Sequence, residues 1–390
     1  MSSALYLLST EAESGKTALA LSLFEILASK VAKPAVFRPV TNGGADDYLI
    51  DLLLSRLPQP LRPDPHACFG VTYDERHEDT AIARQKILEK YRDLRAQCDG
   101  ILVIGSDYTD VGANTELDHN IAIARDLGAP VVTIISGRGS RGARGAADIS
   151  SAAEHALEHL VAAKLPMLSV VANRVNPAEI EAVQAQVQRV ISDLSLDLPI
   201  SVVPELPLLS APTLRDIARA IDANLVSGSA DNLNLVAANP IVAAMRLPNA
   251  LEHLQSDALI IVAGDRVEMI IAMLAASKSS DFPVPNGVVL SSGFEPDETT
   301  TRVLRNIGGD TPIFASKLQT IDLIKIITSL TSRMHPGSAR KIEAALDHTH
   351  KWFPAAEVIS RIATTKTTAV TPLMFSHDVF ERAAAAKQHI

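Results

Sequence analysis

The chain has 390 residues, more than one hydrophobic core usually organises, so two or three domains are expected. Apolar residues make up 47% and aromatic residues only 4%, which points to large cores of Leu, Ile, Val and Ala, as in sheets covered by helices. With 36 Lys and Arg against 45 Asp and Glu, the formal charge of −9 excludes a generalised nucleic-acid or membrane-surface binder, so an anionic ligand needs local positive charge.

In chain order, Ala4–Leu8 reads as a strand and Thr17–Val31 as a helix, with "STEAESGKT" between them. A Walker A loop has the form G-x-x-x-x-G-K-[ST]. Its first glycine bends the chain so that backbone N–H groups face phosphates, and its lysine reaches the β and γ oxygens. Gly15, Lys16 and Thr17 supply the second half, at a helix N-terminus that adds partial positive charge. Thr10 stands where the first glycine belongs, and Glu11 and Glu13 put carboxylates where phosphates would approach. A charge pair about 4 Å apart interacts by roughly 4 kcal/mol at an effective dielectric near 20. The expectation is an empty loop closed by an ion pair from Lys16 to Glu11 or Glu13, binding nucleotide weakly with Mg²⁺ bridging an acid to the phosphates.

The strand Ala35–Phe37 leads into Arg38, which either pairs with a phosphate or neutralises Glu11 or Glu13. Ile101–Ile104 is the next strand. A nucleotide hydrolase wants an acid at its end to organise Mg²⁺, but the pair there is Ile104-Gly105; Asp107, further out, reaches a metal only through water and fits a loop cap better. Helices over Thr115–Leu127, Ala147–Ala163 and Ala178–Leu194 alternate with strands over Val131–Ile135, Leu168–Ala172 and Ile200–Val203. These strand runs are almost wholly apolar, so both sheet faces should be covered: an α/β fold with a parallel doubly wound sheet, binding ligands beyond its carboxyl strand ends. Asn173 sits at one such end, where related folds place an asparagine on adenine, and it is otherwise an ordinary turn former.

The Ser- and Asn-rich stretch 226–240 suggests a boundary between 225 and 235. A smaller α/β domain follows over 235–350, its first strand at Ala258–Val262. Gly264, Asp265 and Arg266 end one strand and Ser292 and Gly293 another, where a small ligand could meet backbone N–H groups; Asp265 could instead cap the helix from Val267. Residues 351–390 read as a connector and one helix, Asp378–Lys387. Cys68 and Cys98 have no metal-type spacing and read as buried thiols. His155 and His159, four apart on a helix, lack a nearby acid at a spacing suited to a shared metal, and the eleven histidines are scattered, so neither a metal site nor a catalytic triad is expected. No basic-then-apolar leader and no apolar run of roughly 20 residues is present, which predicts a cytoplasmic protein without a membrane partner.

"STEAESGKT" resembles the deviant P-loop of dethiobiotin synthetases, and a domain of the same type forms the N-terminal part of long-form (type II) phosphate acetyltransferases. "VFRPV", "ELPLLSAPTLRDIARAI" and "AGDRVEMI…GVVLSSGFEP" resemble, in order, later segments of the same enzymes, the last within a small DRTGG-type regulatory domain; "VTPLMF" resembles the start of their catalytic domain. The resemblance implies a P-loop NTPase-like domain over 1–225, the regulatory domain over 235–350, and over 351–390 a linker into an acetyltransferase domain of the same polypeptide. It further implies a homo-oligomer, no catalytic residue within this chain, and ATP with Mg²⁺ or another nucleotide as a weak ligand or effector. An ATP-dependent ligase of the dethiobiotin kind and an assembly scaffold without nucleotide are the alternatives.

Overall fold

In the computed structural model, which describes residues 3–106, 113–139, 142–330, 332–362, 371–376 and 379, the apolar runs of the first half become strands buried on both faces. They are β1 (Ser3–Ser9), β2 (Pro34–Thr41), β3 (Phe69–Thr72), β4 (Gly100–Ile104) and β5 (Val131–Ser136), then a short hairpin of β6 (Arg138–Gly139) and β7 (Gly142–Ala143), then β8 (Met167–Val175) and β9 (Ile200–Pro204). The large sheet has the order β3-β2-β4-β1-β5-β8-β9 with every neighbouring pair parallel. From β1 the chain runs through its first helix to β2 on one side of the sheet, and after β4 it crosses past β1 to β5 on the other, so the strand order reverses beside β1 and the loop after β1 opens at the switch point of the sheet.

Helices α1 (Lys16–Lys30), α2 (Tyr48–Ser55), α3 (Tyr73–Glu78), α4 (Thr80–Gln97), α5 (Ala113–Leu127), α6 (Ala146–Ala162) and α7 (Ile180–Asp193) cover its faces. Their starts follow local chemistry: Asp47 and Asp79 cap α2 and α4, and Thr72 with Glu75 forms a capping box for α3.

A second unit comprises α8 (Leu214–Ala220), β10 (Asn224–Ser227), β11 (Asn239–Val242), α9 (Leu247–Glu252), β12 (Ala258–Ala263), α10 (Val267–Ala276), β13 (Gly287–Ser291), α11 (Glu298–Gly308), β14 (Ile313–Ala315) and α12 (Thr320–Ser329). Its sheet has the order β10-β14-β13-β12-β11, with β10 antiparallel and the rest parallel.

The division between units falls earlier than the expected 225–235. One unit is Met1–Leu206 together with Met334–Ile390, and the other is Pro207–Arg333. The reason is α8, whose Leu214 and Ile217 pack with Leu259, Val289 and Phe314 in the second core. The small domain likewise stops short of 350, because α13 (Ala339–Trp352) and α14 (Ala355–Ile362) return to the first unit and lie on α1. A helix apolar on nearly all faces must be covered on nearly all faces, and α1 is such a helix, sheet on one side and α13–α14 on the other. His348 Nε2 meets the Pro204 carbonyl at 2.8 Å, and Arg361 donates to the Leu168 carbonyl at 3.3 Å. Beyond them Thr371 donates to the Asp126 carbonyl at the end of α5 (2.7 Å), and Met374 is buried in the first core. Apart from Val379, the helix expected over Asp378–Lys387 lies outside the described residues, as does Asp107. Among the described residues no helix is long and apolar enough to cross a membrane.

Candidate anion site at the P-loop

Thr10, in the place of the first glycine, is tied to β5: its N–H and hydroxyl both reach the Ile134 carbonyl, at 3.1 and 3.4 Å. The chain then turns through left-handed backbone at Glu13 and Gly15, with φ of 51° and 72°. Gly15 is required twice, since a Cβ there would also lie 2.6 Å from Asn173 Nδ2. It is the N-cap of α1 with no side-chain cap bond, and the first turn holds no acid, so no side chain of the helix competes with an anion for its leading N–H groups. Thr17 is half-buried in that first turn.

Lys16 is only 8% exposed, and its ammonium donates to the Gly105 carbonyl at 2.8 Å and to that of Ser106. The expected pairing of Lys16 with a loop acid is therefore replaced. Glu11 lies toward β5, where Arg144 of the hairpin takes it while also donating to the Ser136 carbonyl at 3.3 Å. Glu13 is exposed, and its main-chain carbonyl accepts from Arg174.

Behind the lysine's anchor is a buried polar layer from α5. Asn120 Oδ1 accepts from the Ser106 N–H (3.0 Å) and the Tyr6 hydroxyl (2.7 Å), and its amide donates to Ser106 Oγ (2.7 Å) and the Glu116 carbonyl (2.9 Å). A Cβ at Gly105 would meet that Oδ1 at 2.6 Å. One turn back, fully buried Glu116 receives Arg76 Nη1 at 3.0 and 2.9 Å. Burial, then the Arg76 charge, pushes the neighbouring His119 down to about 4, so the ring is neutral at pH 7.

Arg38 takes neither expected role. It is fully buried on β2, with β4 between it and β1, and it faces Asp47 at 3.6 Å; Asp47 also accepts from Thr41 (2.6 Å) while capping α2. Asn173 belongs to β8, not to a turn, and spends its amide on the Ser14 carbonyl at 2.7 Å, bracing the loop from behind. Next to it Arg174 holds Glu205 through two nitrogens at 2.8 and 3.0 Å, and Arg138 adds a third contact to that acid at 3.6 Å. Sequence reading missed Arg144, Arg174, Glu205 and Asn120. The alternation of Gly and Arg in "GRGSRGARG" directly after a strand was the available signal for the first.

In the second unit, the N–H groups of Ser292 and Gly293 are spent on the Leu318 and Ser316 carbonyls at 2.8 and 3.0 Å, so they do not offer themselves to a ligand as expected. Gly264 is a packing glycine, where a Cβ would sit 2.3 Å from the Phe294 carbonyl oxygen. Arg266, not Asp265, is the N-cap of α10; it donates to the Ala243 carbonyl at 2.9 Å, and Asp265 is exposed with no cap bond. His159 does have an acid beside it, Asp118 Oδ1 at 2.9 Å from α5, but among the described residues no group of three or more His, Cys, Asp or Glu could hold a metal.

A doubly wound parallel sheet with a Gly-Lys-Thr loop leading into a helix at its switch point defines a P-loop α/β protein. Residues 3–213 match the family described as AAA domain, and the chain belongs to that family; residues 216–330 match the DRTGG domain. Two similar proteins are phosphate acetyltransferases. One, from Nitratidesulfovibrio vulgaris, is 28% identical over 404 residues, and one from Synechocystis sp. is 28% identical over 403. Each alignment covers 100% of this chain and 56% of the relative, so the chain spans about half the length of the curated relatives it matches. Among solved structures, a ParA family ATPase from Chlorobium tepidum is 11% identical with a TM-score of 0.33, covering 53% of this chain and 86% of its own. The CBS and DRTGG domains of a Clostridium perfringens pyrophosphatase are 11% identical with a TM-score of 0.27, covering 43% and 83%. Neither adds to what the sheet order establishes.

Proposed function

We propose that this chain is the regulatory and assembly part of a phosphate acetyltransferase, which interconverts acetyl-CoA and phosphate with acetyl phosphate and CoA, and that acetyl transfer belongs to the portion of the relatives it does not match. The carrying observation is the 28% identity to two such enzymes along the whole chain. The loop supports an effector role over an ATPase role: Lys16 and the open start of α1 offer positive charge to a phosphate, whereas the end of β4 is the buried Ile104. An arriving phosphate would draw the Lys16 ammonium off the Gly105 and Ser106 carbonyls. Ser106 is bonded to Asn120 on α5, and the far end of α5 holds Thr371, so the strain has a physical route to the following segment. A nucleotide acting this way works only through differential affinity for two states of the enzyme. We also take the assembled form to be a homo-oligomer, which light scattering of the purified chain checks.

Equilibrium titration of this chain with ATP, ADP and NADH, with and without Mg²⁺, tests the reading. The expected result is saturable binding that is lost in Lys16→Ala, without nucleotide turnover and without phosphate-dependent release of CoA from acetyl-CoA. Phosphate release at rates typical of an ATPase, abolished by Lys16→Ala, would overturn it.

A further inference from the structure

The second unit carries a cavity far in sequence from its strand-end glycines. It is a depression of about 340 Å³, open to solvent, between β10 with the turn that follows it and the end of α11. The fold builds it tightly. Gly228 has φ of 102°, and a Cβ on it would lie 2.4 Å from the Thr311 carbonyl oxygen; Ser229 N–H and the Asn232 amide both bond the Asp310 carbonyl, at 3.1 and 2.9 Å. The main chain around Asp310 is therefore fixed.

Three features of the lining point to a ligand. Ser227 is only 6% exposed, and its hydroxyl has no hydrogen-bond partner, a state that disfavours the fold when left unrelieved. Arg305 and Asp310 lie on the same lining with opposite charges, and among the described residues neither side chain has an ion-pair or hydrogen-bond partner. Leu225, 42% exposed, adds an apolar surface. A simple anion would suit Arg305 but would face Asp310 and the partial negative charge at the C-terminus of α11, which ends at Gly308. A simple cation has the converse conflict. A molecule carrying both charges a few atoms apart meets neither.

We propose that this cavity binds a small zwitterion, an α-amino acid with an aliphatic side chain. Arg305 takes the carboxylate, Asp310 takes the ammonium beside the C-terminal end of α11, and Leu225 packs against the side chain. The site is independent of the P-loop, so its failure leaves the nucleotide reading untouched.

The experiment is calorimetric titration of the full chain with L-leucine, with isocaproate (leucine without its amine) and with isoamylamine (leucine without its carboxylate). L-Leucine is expected to bind saturably at millimolar concentrations and the two half-ligands at least about tenfold more weakly. Arg305→Gln and Asp310→Asn, exposed substitutions that leave the cores intact, should each weaken L-leucine by about tenfold or more. No saturable heat with L-leucine overturns the proposal. So does isocaproate binding as tightly, which makes the site one for plain carboxylates, or leucine binding that is indifferent to both substitutions.

Discussion

His119 offers a direct measure of how strongly the layer behind the P-loop is buried. Burial depresses its folded-state pKa from 6.5 to about 4; the charges of Arg76 on α3 and Arg84 on α4 depress it too, while Glu116 one turn away opposes them. A histidine with a depressed folded pKa binds fewer protons folded than unfolded. Its contribution is therefore present above pH 6.5, is lost as the pH falls through 6.5, and is fully gone near 4. A fall from 6.5 to about 4 is worth about 3 kcal/mol in all, of which roughly 2 kcal/mol disappears between pH 7 and pH 5. Solvent reaching the partly exposed ring trims that to ~1–2 kcal/mol. His119→Gln keeps a polar side chain of similar size and cannot titrate. Urea unfolding of wild type and variant at pH 7 and pH 5 isolates the effect, because every carboxylate contribution is common to both. Wild type should lose ~1–2 kcal/mol more than His119→Gln over that interval. Parallel losses would show that the ring is solvated in the folded state and that α5 is not packed as described.

Gly15→Ala should lower stability by about 1–2 kcal/mol for the left-handed backbone alone, and should abolish nucleotide binding because the new methyl pushes on Asn173; thermal melts and titration check the two effects separately. Glu116→Ala leaves the Arg76 guanidinium buried without its carboxylate and should cost ~3–5 kcal/mol in chemical denaturation, much more than an exposed Glu→Ala. Burial pushes the Cys68 thiol up to about 12 and raises the half-buried Cys98 less, so an aromatic disulfide reagent should modify Cys98 first and Cys68 only as the protein unfolds.

What was legible in the sequence is what local chemistry decides. The span of α1 was read to within a residue at either end, because its start is fixed by Gly15 and its apolar run is continuous. The short strand β3 escaped notice, since four residues flanked by turns and a capping box carry almost no periodic signal. The division of the chain escaped for a related reason: α8 looks like the last helix of the first domain until Leu214 and Ile217 are seen in the second core. In the site, residue types were legible and partners were not. Arg144 and Glu11 lie 133 positions apart, Asn173 and Ser14 159, and only the sheet order brings them together. The place of Arg38 was hidden for the same reason: β4 lies between β2 and β1, and the buried guanidinium faces Asp47, which the residue type alone does not reveal.

The return of α13 and α14 to the first unit makes that unit discontinuous in the gene. Cutting the chain at the family boundaries, 213 or 330, removes both helices and leaves the apolar outer face of α1 bare, so such fragments should aggregate where a fragment rejoining 334–362 to the first unit would not. Synthesis meets the same constraint in time. Residues 1–206 emerge from the ribosome with the lysine helix uncovered, and the whole of 207–333 must be added before its cover exists, a wait on the order of ten seconds at ordinary elongation rates. The second unit, continuous in sequence, can complete its own core during that interval, so it is expected to finish folding before the unit whose synthesis began first.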